Sequence, residues 1–271
     1  MSELHSDLNR ALSKAFVLSI LGTMLCVLFG AFSDVLAIYM LDKPTAALLA
    51  HQAITLKALS GNAILFAAPI LATIPYSGAF VDDVKSGYLK QFLPRTTVSR
   101  YILGKELACA ISGFLTLTIG ILAGHILVSL FVLPMETFGE TAVKSQLGEL
   151  VGKIVIFGFS GALWAMLGML LSTVTMNTYM AYAAPFILYY VLIILQERYA
   201  RDVFMLNPQN YLTLTGTWPF GGWSAGITMA VLLIGAMLGF YVIAQDHLRD
   251  DNARKSIRTL FRQRSISLEK P

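Results

Sequence analysis

The chain has 271 residues, 56% of them hydrophobic and only 13% charged, with a formal net charge of +4. An ordinary soluble domain carries about 25% charged residues, and so few charges cannot cover a soluble globule of this size. Disorder, collagen, coiled coil and a disulfide scaffold are excluded, which leaves an all-α, multi-pass membrane protein.

The N-terminus does not read as a cleaved signal peptide, because no short apolar core ends in a small-residue cleavage site. Instead Leu4, Leu8, Ala11, Leu12, Ala15 and Phe16 recur at helical spacing, with Glu3, Asp7, Arg10 and Lys14 off that stripe. The pattern predicts an amphipathic interfacial helix over 1–15.

The spans follow from runs without Asp, Glu, Lys or Arg. These runs hold 19 residues (15–33), 24 (58–81) and 29 (107–135), then 43 twice (154–196 and 203–245). A crossing helix needs about 20 residues. A run of 43 would be about 65 Å long as one helix, too long for one span. The first long run divides at the polar cluster Ser172 to Thr178, predicting helices at about 154–171 and 179–196. In the second, Asn207, Pro208, Asn210, Pro219 and a cluster of glycines forbid a continuous helix. The aromatics Tyr211, Trp218, Phe220 and Trp223 there suit an interfacial or re-entrant segment over 203–225. A last span covers 226–244.

Six spans over 16–245 place both ends on one side. With cytoplasmic ends, 14 Lys and Arg lie on inner segments and 6 on outer ones, as the positive-inside rule requires. The basic tail, 246–271, is suited to anionic inner-leaflet lipid. Its charge flanks a span without an accompanying domain, so nucleic acid is not an expected partner.

Chemistry is sparse. The interiors of the predicted spans hold no Asp, Glu, Lys or Arg; Asp34 and Glu106 sit at edges. That argues against ion coupling. His125, the single histidine within a span, reads as a hydrogen-bonded packing residue. Cys26 and Cys109 have no metal-ligand spacing, so no metal is expected. Gly104-Lys105-Glu106 and Gly152-Lys153-Ile154 both lack the Ser or Thr and the glycine loop of a phosphate cradle, so the chain has no nucleotide site of its own.

Gly158-Phe159-Ser160-Gly161 resembles the GxSG of rhomboid intramembrane proteases. The base of that family precedes a small-xxx-small run. Here the run is Gly235-Ala236-Met237-Leu238-Gly239 and the base position is Leu232. A serine without a base is a poor nucleophile. No catalytic residue is assigned, and Ser160 with its glycines reads as close helix packing, as do Gly120/Gly124 and Gly235/Gly239.

The inner loop, 82–106, is the most informative segment. Tyr88, Leu89, Phe92 and Leu93 form a short apolar stripe ended by Pro94, suited to a partner's groove or to the lipid surface. Phe80 to Leu93, Pro94, Ser99-Arg100, Tyr101, Leu103 and Gly104-Lys105 resemble the loop after the second span of ABC-2-type transporter permeases. Asp82-Asp83-Val84-Lys85 stands where Glu-Arg-Glu is commoner, and the Arg100-to-Lys105 spacing is shorter than usual. The resemblance implies the permease subunit of an ABC exporter in a prokaryotic cytoplasmic membrane. It would pair with a second permease copy, identical or similar, and bind a cytoplasmic ABC ATPase that supplies the ATP and Mg²⁺ site. Residues 86–93 would be the coupling helix, with Lys85, Gly87, Tyr88, Leu89, Lys90, Phe92 and Leu93 at the ATPase and the 2–15 helix as a second contact.

With no charge expected inside the spans, a hydrophobic or amphiphilic cargo follows: a lipid-like molecule, a drug or an amphipathic peptide. Asn62, Thr116, Thr118, Ser160 and Trp164 are the candidate pathway residues. A self-contained channel or secondary carrier, the intramembrane protease and a membrane anchor are the alternative classes.

Overall fold

The computed structural model describes residues 2–40, 46–88, 97–137, 145–214, 218 and 222–268, and the side chains of these except at 2–4, 222–223 and 249–268. In chain order the α-helices are α1 (Ser2–Ala11), α2 (Lys14–Tyr39), α3 (Ala50–Leu59), α4 (Asn62–Thr73) and α5 (Ala79–Lys85), followed by α6 (Val98–Val132), α7 (Leu147–Thr175), α8 (Met180–Tyr199), α9 (Pro208–Thr213) and α10 (Gly222–Leu268). Five helical segments are long and apolar enough to cross a membrane: α2, α6, α7, α8 and the 224–248 part of α10. The α3–α4 pair makes a sixth if counted as one span, and it is bent by 64°.

That bend corrects the predicted second span. The uncharged run 58–81 conceals a break at Ser60-Gly61, where the Ser60 and Gly61 N–H groups turn back onto Lys57 and Ala58 carbonyls. The helical segment begins earlier than predicted, at Ala50, and ends at Thr73. The tight turn after the fourth predicted span is present. Met176 takes the left-handed conformation (φ 50°) and the Asn177 N–H donates to the Ser172 carbonyl, closing α7.

Helix starts are corrected too. α6 begins at Val98 and α7 at Leu147, so Lys105, Glu106, Glu149 and Lys153 belong to helices rather than to flanking loops. The expectation of charge-free helices fails as a result: Lys105, Glu106 and Lys153 are all buried. The predicted tail from 246 onward is a continuation of α10 to Leu268 without a break.

Packing divides into two clusters. At one end, here the base, Ala11, Phe80, Tyr101, Ile102, Met169, Phe240 and Leu248 pack together. Toward the other end, the top, Ala46, Ile54, Val128, Leu150, Ile193, Leu212 and Ala225 do so. α6, α7 and α10 each run between the two, which is the arrangement of an up-and-down bundle.

Glycines set the closest crossings. A Cβ at Gly113 of α6 would lie 2.5 Å from the Gly161 carbonyl oxygen, and one at Gly161 of α7 would lie 2.4 Å from that of Gly113. Gly120 and Gly124 likewise take Thr23 and Val27 of α2, at 2.4 and 2.8 Å. These crossings confirm the packing reading of Gly120/Gly124 and of the glycines around Ser160. Gly235/Gly239 is a correction: a Cβ at Gly235 meets nothing within 4 Å, and one at Gly239 makes only ordinary contact with Leu170, at 3.6 Å.

α1 also differs from its expected orientation. It ends at Ala11, and a bend at Leu12-Ser13 separates it from α2. Ala11 is fully buried while Leu12 is half exposed. The inward face therefore includes Asp7, Leu8 and Ala11 rather than the whole leucine stripe.

Candidate functional site

At the base, α1, α5 and the foot of α6 meet on a buried polar cluster. Lys105 projects from the second turn of α6 and its side chain is 1% exposed. Its Nζ lies 2.7 Å from Asp7 Oδ1 of α1 and 2.7 Å from Asp83 Oδ2 of α5. It also donates to the Tyr76 hydroxyl at 2.8 Å. Tyr76 in turn donates to Asp7 at 2.6 Å, and Tyr101 donates to Asp83 at 2.8 Å. Arg10, one helical step from Asp7 on the same face of α1, closes the set by pairing with Asp83 Oδ1.

Two carboxylates thus face two cations, and two tyrosine hydroxyls use the remaining hydrogen-bonding capacity. Burial alone would raise the Asp83 carboxyl's pKa. The Lys105 charge, together with hydrogen bonds from Lys105, Arg10 and Tyr101, outweighs it and holds the carboxyl below its usual range. Burial and the neighbouring Asp7 push the Tyr76 hydroxyl upward, so it stays a donor.

A buried ion pair is weak evidence for net stability but strong evidence for register. A one-residue slip of α1 would withdraw Asp7 and Arg10 together. The arrangement has no nucleophile–base pair, and among the described residues no group of His, Cys, Asp and Glu could hold a metal ion. What it can do is mechanical: it holds α1, α5 and α6 as one body.

The cluster adjoins the predicted coupling loop. Lys85 ends α5, and Gly87 follows in a left-handed turn (φ 74°) that only glycine adopts without strain. Lys85 and Tyr88 are exposed. Leu89, Lys90, Phe92 and Leu93 lie outside the described residues.

The candidate pathway residues do not form one wall. Asn62 is exposed at the α3–α4 break. Thr116 is buried and spends its hydroxyl on the Ser112 carbonyl of its own helix, at 2.7 Å. Thr118 lies against Gly158 in the α6–α7 crossing. Only Ser160 and Trp164 share a space, a cavity of about 720 Å³ between α7, α9 and α10. Leu232, the protease base position, lines it too, and among the described residues no histidine or carboxylate does.

A second polar cluster lies at the top. Glu136 accepts from the backbone N–H groups of Leu49 and His51, both at 3.1 Å, and meets His51 Nδ1 at 2.7 Å. His125 hydrogen-bonds the Thr55 hydroxyl at 2.9 Å and stacks on His51, which bears out its packing role. The backbone and imidazole hydrogen bonds outweigh the effect of burial and lower the Glu136 pKa.

Sequence reasoning named Asp83, Tyr101 and Lys105 only as parts of a loop resemblance, and it placed Asp7 and Arg10 on the solvent side. The i, i+3 spacing of Asp7 and Arg10 was the available signal. No family model matches the sequence, and no curated protein matches it.

Proposed function

We propose that the chain is the membrane subunit of an ATP-driven exporter of ABC-2 type, moving a hydrophobic or amphiphilic cargo through a pathway between two permease copies. The observation that carries the reading is the base cluster. It ties the segment that leads into 86–93 to α1 and to the foot of the crossing helix α6. A displacement of the 86–93 segment by a partner ATPase would reach α6 through Asp83 and Lys105 without loss in a flexible loop. On this reading both termini are cytoplasmic, ATP and Mg²⁺ are bound by the partner, and 203–225 is a re-entrant segment on the outer side.

Co-purification tests it. A tagged chain should retain a P-loop ATPase, and the double variant Lys90→Glu with Phe92→Asp should release it while the chain stays folded. Full retention by that variant would remove the coupling role from 86–93.

One observation favours a second reading, the self-contained secondary carrier. Glu106 is 2% exposed on α6, and its Oε1 has no hydrogen-bond partner among the described residues. A buried carboxyl on a crossing helix is the kind of group that proton coupling uses. Proteoliposomes without ATPase separate the two: uptake driven by a proton gradient and abolished by Glu106→Gln supports the carrier, and strict dependence on ATP supports the permease.

A further inference from the structure

Lys153 is the second buried lysine of the bundle, and its surroundings contrast with those of Lys105. The residue is 8% exposed. Its Nζ reaches Ser60 Oγ at 3.3 Å, at the α3–α4 break, and Glu149 only at 4.0 Å. Glu149 is itself 58% exposed and, like Lys153, lines the groove between α7 and α10. Where Lys105 has two carboxylates at 2.7 Å, Lys153 has no close counter-charge among the described residues. A buried ammonium in that position carries an unrepaid desolvation cost.

Beside it a groove of about 570 Å³ runs between α7 and the start of α10. Val155, Ile156, Phe159, Ile227 and Ala230 form its apolar walls. Gly152 and Gly226 also line it, and a Cβ at either would meet nothing within 4 Å, so the space is open at both helices. The volume is that of a small-molecule site. From Lys153 to Phe159 the groove follows α7 for about 9 Å.

We propose that this groove binds one anionic amphiphile, with its charged head on the Lys153 ammonium and its aliphatic chain between α7 and α10. The chemistry excludes simpler occupants. A free inorganic anion satisfies Lys153 and leaves the apolar walls bare. A neutral or zwitterionic lipid fills the walls but brings Lys153 no net counter-charge. An anion carried on an aliphatic chain does both, whether it comes from an anionic bilayer lipid or from a free long-chain acid. The proposal is independent of the ATPase reading, because it is tested by binding alone.

The test uses the full chain purified in detergent, with retained lipid counted by native mass spectrometry after equilibration with phosphatidylglycerol or phosphatidylcholine. One phosphatidylglycerol should be retained per chain, in clear preference to phosphatidylcholine. Lys153→Gln should weaken its retention roughly tenfold or more, the loss of a charge-assisted contact. Gly226→Leu places a side chain in the open groove, where a Cβ meets nothing within 4 Å, and should weaken retention while thermal unfolding is not lowered. Glu149→Gln removes the competing carboxylate and should tighten phosphatidylglycerol binding.

Competition by oleate would identify a free acid as an acceptable source; preference for phosphatidylglycerol without oleate competition would identify the bilayer lipid. Displacement by inorganic phosphate alone would overturn the role of the groove. Equal retention of both lipids would overturn the proposal, as would wild-type retention in both Lys153→Gln and Gly226→Leu. A weaker interaction in Glu149→Gln would overturn the assignment of the head to Lys153 alone.

Discussion

Lys105→Met is the sharpest test of the base cluster. The substitution keeps the length of the side chain and removes the ammonium that lies 2.7 Å from both Asp7 and Asp83. Asp83 is 1% exposed, so water cannot replace the lost partner. Removing one member of a buried pair costs about 3–5 kcal/mol. For a chain of this size that is a fall in Tm of roughly 6–20 °C, at about 2–4 °C per kcal/mol. Arg10→Gln provides the internal contrast. Its side chain is 48% exposed, so solvent screens the pair and the expected cost is about 0.2–1 kcal/mol. Asp83→Asn combined with Lys105→Met removes the orphaned charge, so the double variant should recover about 0.5–3 kcal/mol relative to additivity. The assay is thermal and denaturant unfolding, in one detergent, of the wild type, the single variants Lys105→Met, Arg10→Gln and Asp83→Asn, and the double variant. pH adds a second axis. The Asp83 carboxyl is depressed in the folded state, so its contribution is complete above the ordinary value of 3.8 and is lost as pH falls through the lower folded value. The wild type should show that acid loss and Asp83→Asn should lack it. If Lys105→Met unfolds within 1 kcal/mol of the wild type and the double variant is additive, the cluster does not join the three helices.

Three other outcomes follow from the geometry. Gly113→Ala places a methyl group 2.5 Å from the Gly161 carbonyl oxygen and should destabilise by about 1–3 kcal/mol, whereas Gly235→Ala, in open space, should stabilise by about 0.5–1 kcal/mol; unfolding curves measure both. Glu136→Gln should cost about 1.5–3 kcal/mol at neutral pH, because its carboxylate accepts two backbone N–H groups and meets His51; the folded pKa is lowered, so the difference from wild type should shrink as pH falls through the acid range. Ser160→Ala should leave transport and folding intact, since no described residue of the cavity it lines is a histidine or carboxylate, and loss of function in a folded Ser160→Ala chain would restore the protease reading.

The helical architecture was legible because membrane-crossing segments are long and apolar, and runs without charge find them. The turn near Asn177 was legible because its residues are visibly polar. What the runs concealed has a common cause. Hydropathy treats a charge as a boundary, yet a charge can enter a helix when the fold supplies a partner. Lys105 does so with Asp7, 98 positions away, and no local pattern contains that pairing. The break at Ser60-Gly61 was hidden for the opposite reason, since neither residue carries a charge. The small-xxx-small pattern had the same limit. Gly120/Gly124 and Gly235/Gly239 read identically in sequence, but only the first pair faces a helix at close range. For the proposed coupling segment, the structure adds what stands before it: Asp83 held by three donors, and Gly87 in a left-handed turn after α5.

The two buried lysines show how a chain poor in charge divides its charges between different tasks. At the base, Lys105, Arg10, Asp7 and Asp83 are matched to one another inside the protein. Three segments from different parts of the sequence are locked together. At the top, Lys153 is desolvated beside an open apolar groove, and among the described residues its one carboxylate neighbour, Glu149, is at 4.0 Å and 58% exposed. Glu149 is the carboxylate that lines the groove with Lys153, and at 4.0 Å it leaves the ammonium without a short carboxylate contact among the described residues. The asymmetry therefore points to different uses: a charge already satisfied serves as a joint, and a charge left waiting at the end of an apolar groove serves to bind.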